Sequence, residues 1–220
     1  MEKAYQTRGG MYGNIDRERY LMNLQDLLQH HQDYTTNVPN RYEQTIERLN
    51  KAMPARDTAE VAAAISDWLK SINMQYYRFR PAKLKMLRET LEPVIEQERE
   101  TLLEYRKRSI TTLMVEDRPV ISRLFEVFKD KLGPIGAGKA LHVLAPKMFP
   151  LWDNAIASAA GVSTSQGYFQ FMLIRKEQVA ALPKGLPENL YPLKLLDECD
   201  YLRFTRNNDT MDSGKNLKRR

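Results

Sequence analysis

The sequence predicts an all-α protein of about eight to ten helices. Apolar residues recur at three- and four-residue steps through most of the chain, the spacing of one helix face. The strict alternation of a half-buried strand is scarce, and only "YFQFMLI" imitates it. Proline and glycine fall mainly between the periodic stretches, where they end helices.

Taken in order, Tyr20, Leu21, Leu24, Leu27 and Leu28 mark a first helix. Ile46, Leu49 and Met53 mark a second, started by Pro39-Asn40. "DTAEVAAAISDWLKSI" is a third: Asp57 or Thr58 caps it, and Val61, Ala64, Ile65, Trp68, Leu69 and Ile72 form its buried stripe. A long charged helix spans about 81–108, with Leu84, Leu87, Leu91, Ile95, Leu102 and Tyr105 inward. Pro93 should bend or interrupt it. "RPVISRLFEVFKDKL" buries Val120, Ile121, Leu124, Phe125, Phe128 and Leu132 and stops at Gly133-Pro134. A short helix over about 137–144, one starting at Asp153, and two from "SQGYFQFMLIRKEQVAAL" and "ENLYPLKLLDECDYLRFTR" complete the set. Residues 15–204 read as one helical unit, with N-terminal helices over 15–115 and hairpin-containing helices over 116–204. A flexible stretch, 1–14, precedes it and a basic tail, 205–220, follows. There is no internal repeat.

The 220 residues are 42% hydrophobic and 28% charged, ordinary for a globular chain and enough to bury a core. No apolar run reaches the roughly 20 residues that span a bilayer, and the first twenty residues lack the apolar centre of a secretory signal. The expectation is therefore a cytoplasmic protein with no membrane partner. The single Cys199 excludes an internal disulfide and a cysteine-built metal centre, and His30-His31, on different helix faces, make a poor metal site. No metal or cofactor is expected. The acidic stretch 89–104 reads as an exposed helix face.

Of the net charge of +6, six Lys/Arg and two Asp place +4 after Leu202. Such a tail can hold an acidic surface or fray in solvent. "QYYRFRPAKLKMLR", 75–88, carries five Lys/Arg, no acid and three aromatics. Arg78, Arg80 and Lys83 can grip phosphates while the aromatics stack on bases. Equally, the rings can pack inward and the cations face water.

The densest signal is "GPIGAGKALHVLAPKMFPLWDNAIA", 133–157. Its start nearly spells the phosphate loop G-x-x-x-x-G-K, but Ala140 replaces the Ser or Thr that would hold magnesium. A helix, not a buried strand, precedes it, so the nucleotide reading is set aside. What remains is a hairpin: one helix to Leu132, a turn over 134–138, and a second helix from Lys139. Gly136 and Gly138 would let the turn approach a DNA backbone, with the helix-start amides donating to a phosphate. A tightly packed αα-hairpin would use the same glycines.

This segment resembles the core of the helix-hairpin-helix DNA glycosylase superfamily, over about 25 residues. There a Pro/Gly hairpin leads into a helix bearing a lysine, and a Phe-Pro bend delivers an aspartate. Lys139 and, after Phe149-Pro150, Asp153 fall in those places. The resemblance implies DNA binding and base excision. Asp153 would stabilise positive charge developing at C1′, and Lys139 would attack C1′ to form a Schiff base. A position in the first helical turn would favour the neutral amine. His142 would contact a phosphate or shuttle a proton, and Trp152 would stack on an extruded base. Each has a plainer alternative: Asp153 as an N-cap, Lys139 paired with a phosphate or water, His142 as a hydrogen-bonded structural group, Trp152 as core. A non-enzymatic nucleic-acid-binding or protein-interaction domain is the competing function.

Overall fold

A computed structural model describes residues 23–37, 41–72, 86–153, 156, 167–187 and 189–202. Among these there are seven α-helices and no strand: α1 Leu24–Asn37, α2 Tyr42–Ala52, α3 Thr58–Ile72, α4 Leu87–Lys107, α5 Arg118–Leu144, α6 Tyr168–Ala180 and α7 Pro192–Asp200. Two 3-10 turns, Ile110–Thr112 and Val115–Asp117, join α4 to α5.

The amphipathic spacing works as expected in α2 and α3. Tyr42, Ile46, Leu49 and Ala52 form the buried face of α2, and Val61 to Ile65, Trp68 and Leu69 that of α3. Asp57 is the cap of α3, its Oδ1 accepting from the Glu60 amide at 3.0 Å. Arg48 on α2 ties the pair together, reaching Glu60 at 2.6 Å and Asp67 at 3.1 Å.

α4 lies across α3 and continues through Pro93, against the expected bend or break. Pro93 is exposed, and so is Glu89, whose carbonyl loses its partner one turn back; water can bond it. At its other end Arg106 crosses to α5, donating to the Val143 and Leu144 carbonyls and, at 2.6 Å, to Asn50. A cation thus meets the last carbonyls of α5, where the helix dipole is negative. Arg108 grips Asp117 with both guanidinium nitrogens at 2.7 Å, which holds the Asp117 carboxyl below its usual range.

α5 is two arms meeting at Gly133, whose φ of 74° and ψ of 169° lie outside helical space. Only glycine adopts that combination readily. Pro134 then starts the second arm at the position where its missing N–H is harmless. The joint is therefore one residue long, not the turn over 134–138 expected from sequence. Gly136 and Gly138 lie inside the second arm and are buried. A Cβ on Gly136 would come within 2.7 Å of the Leu132 Cβ, and one on Gly138 within 2.3 Å of the Trp152 Cβ and 3.1 Å of its backbone nitrogen. Both glycines serve close packing. Gly138→Ala should therefore lower stability by roughly 2–3 kcal/mol, since backbone has to yield; chemical denaturation would register it, and an unchanged midpoint would contradict this packing.

The main core lies between α2, α3, α4, α5 and α6. Phe125 and Tyr168 stack at 4.1 Å between ring centres, and Trp152 sits edge-on to Phe125, Tyr168 and Phe171. A smaller cluster, Leu27 with Leu195 and Cys199, joins α1 to α7.

Candidate functional site

Lys139 sits in the second turn of the short arm of α5, because that arm begins at Pro134. It is half-buried, as is Asp153. The Lys139 amine is held below its ordinary pKa by burial, against the opposing pull of the Asp197 and Asp153 carboxylates. The neutral amine is thus favoured by desolvation rather than by a first-turn position. Asp153 is near enough for its charge to act on Lys139. The N-cap reading of Asp153 concerns residues that, apart from Ile156, are outside the described ones, as are Arg78, Arg80, Lys83 and the basic tail.

His142 and Trp152 correct the sequence reading. His142 is 0% exposed. Its Nδ1 lies 2.7 Å from the Phe149 carbonyl, which can only accept, so Nδ1 carries the proton. Its Nε2 then accepts from the Tyr42 hydroxyl at 2.9 Å. Burial lowers its pKa to about 3. A sealed, neutral ring with both nitrogens bonded holds the Phe-Pro bend in place; it neither meets a phosphate nor shuttles a proton. Trp152 is 2% exposed and ringed by aromatics, so it fills core and offers no face to a base. Gly136 and Gly138 are covered too, and present no open approach to a DNA backbone.

α7 contributes groups that sequence reading missed. Lys194 Nζ lies 3.2 Å from Glu198 and 3.5 Å from Asp197. It also stands 4.3 Å from the centre of the Tyr34 ring. Burial alone would lower the Lys194 pKa, but the two carboxylates outweigh it and raise it. Burial raises Asp197, with Lys194, Arg175 and Lys139 pulling it back. Arg175 on α6 donates to Asp200 at 2.5 Å and to Gln178 at 2.8 Å. The signal lay in "KLLDECD": Lys194, Asp197 and Glu198 are spaced i, i+3, i+4, on one face of a helix whose leucines are also buried.

Lys139 therefore faces a mixed-charge cluster built from α5, α6 and α7, with Asp153 acting on it from the segment after α5. Burial shifts the amine toward its neutral form, and the carboxylates at hand pull the other way and can stabilise positive charge.

Comparison with protein-family models, with curated proteins and with solved structures gives no match. The fold and site thus define a class on their own terms: an all-helical protein, among the described residues, with a half-buried lysine in a carboxylate-rich cluster. No helix among the described residues is long and apolar enough to cross a membrane.

Proposed function

We propose that the chain is a DNA-binding helical protein that acts as a base-excision glycosylase with abasic-site lyase activity, with Lys139 as nucleophile and Asp153 as its acidic partner. One observation carries this reading: burial favours the neutral Lys139 amine while the Asp153 charge acts on the same group. The amine lone pair would add to the C1′ aldehyde of an abasic deoxyribose, and loss of water would leave an imine. Asp153 would stabilise the cationic form of that imine. With the base still attached, the same two groups would displace it from C1′.

Borohydride reduction tests this. Wild-type protein mixed with abasic-site DNA should give a covalent cross-link, Lys139→Gln none, and Asp153→Asn a yield reduced at least tenfold. A cross-link of wild-type yield in Lys139→Gln would overturn the assignment, as would none in the wild type. The second reading, a nucleic-acid-binding or protein-interaction domain, draws support from Asp197, which gives Lys139 a purely structural counter-charge. It expects salt-dependent DNA binding, or none, without trapping.

A further inference from the structure

Three places outside the proposed chemistry stand out. The groove of about 410 Å³ along Leu24, Gln25, Leu28, Gln29 and Gln32 has nothing to say what would fill it. The exposed Met114, Val115 and Val120 near the start of α5 are in the same position. The contact between α1 and α7 differs from both, since it covers buried charges.

α1 packs against α7 and against Leu182, Leu186 and Leu190 in the connection that precedes it. The apolar part of this contact is thin: among the described residues of α1 only Leu27 and Tyr34 are buried. Leu27 rests on Leu195 and Cys199, and Tyr34 covers Lys194 and meets Tyr201 edge-on. Among the described residues the polar part includes the bond from His31 Nδ1 to Glu198 at 2.7 Å and a hydrogen bond between Tyr34 and Lys194. The helix needs no neighbour to begin, because the Asn23 side chain accepts from the Asp26 amide at 2.9 Å. A self-capped helix with two buried apolar anchors, held otherwise by polar contacts to one short helix, has the properties of a unit that opens without global unfolding.

Beneath it lie groups that ought to be in water. Lys194 and Glu198 are 7% and 2% exposed, and α1 supplies the ring and the imidazole that cover them. Lys194 in turn bonds Asp197, whose charge acts on Lys139.

We infer that α1 is an opening cover over the charged face of α7, latched by His31 on Glu198, and that its opening admits water to the cluster facing Lys139. The cover stands on its own geometry; only its effect on chemistry rests on the Lys139 reading. Open, it solvates Lys194, Asp197 and Glu198 together, and the electrostatic setting of Lys139 changes with them. Closed, it holds the cluster dry.

The chain contains its own reporter. Cys199 is the single cysteine, 1% exposed, and Leu27 of α1 packs on it. The experiment measures the rate at which a chromogenic aromatic disulfide labels Cys199 in the full chain under native conditions, alongside the urea unfolding midpoint. His31→Ala should raise the labelling rate about tenfold, the factor expected for losing one hydrogen bond to a charged group, with little change in midpoint. His31→Gln, which can still donate to Glu198, should restore most of the protection. Gln29→Ala, on the outer face, should leave the rate unchanged. A His31→Ala rate equal to wild type would overturn the cover, and so would a rise that merely follows the loss of global stability. Borohydride trapping on the same variants separates the two ideas: faster labelling without any trapping keeps the cover and removes the lyase.

Discussion

Acidification from pH 7 to pH 5 should destabilise this protein by an amount traceable to one ring. In the folded state burial lowers the His142 pKa to about 3, whereas in the unfolded chain it returns to an ordinary value of about 6.5. Between those limits the unfolded state binds a proton that the folded state refuses. Stability from this group is complete above about pH 6.5 and is lost as pH falls toward 3, by roughly 5 kcal/mol over the whole interval. At pH 5 about 2 kcal/mol should already be gone. Protonation would place a charge in a fully buried site and make the Tyr42 hydroxyl turn from donor to acceptor. The measurement is the difference in unfolding free energy between pH 7 and pH 5, in wild type and in His142→Gln. The variant will be less stable at both values, but its pH dependence should be flatter by about 2 kcal/mol. An identical slope in the two proteins would show that the ring titrates elsewhere.

Breaking the Arg175–Asp200 pair should have the next largest effect. The partners are 2% and 0% exposed and joined at 2.5 Å, with the guanidinium 4.7 Å from the centre of the Phe171 ring. Arg175→Met keeps much of the apolar stem over Phe171 and removes the guanidinium that pairs with Asp200. The buried carboxylate loses that guanidinium, which costs about 3–5 kcal/mol. Replacing both, as Arg175→Met with Asp200→Leu, should recover at least half of that loss, because most of the penalty comes from keeping a buried carboxylate after its guanidinium is gone. Urea denaturation of the two single variants and the double measures the coupling. Additive losses would mean that the pair does not act as a unit.

How far the chain can be read without coordinates differs from element to element. The faces of α2, α3 and the first arm of α5 follow largely from leucine, isoleucine and phenylalanine spacing, because an amphipathic helix writes its orientation locally; Val120, expected in the α5 face, is instead exposed at the helix start. The Asp57 cap is local too. Pro93 misled because its consequence depends on which side of α4 faces water, a tertiary fact. The turn at 134–138 is misplaced for a similar reason: one glycine with φ near 74° kinks the chain, which leaves Gly136 and Gly138 inside a helix and free for packing. At the candidate site, Lys139 and Asp153 were visible from the segment they share. The α7 cluster was not. Lys194, Asp197 and Glu198 look like the solvated face of a short helix until α1 and α6 are set against them. His142 was legible as a residue of interest, but its neutral, bonded state depends on Tyr42, a hundred positions earlier.

The joint at Gly133 constrains how this molecule can vary. A connection with no spare length cannot absorb an added or deleted residue, and each extra position in the short arm would turn Lys139 about 100° around the axis, away from its acidic neighbours. Change in this region has to come by exchanging side chains while the spacing stays put. A library of single-residue insertions between 130 and 140, scored for soluble folded protein, should therefore be nearly empty of survivors, while substitutions on the exposed side of the same stretch remain plentiful.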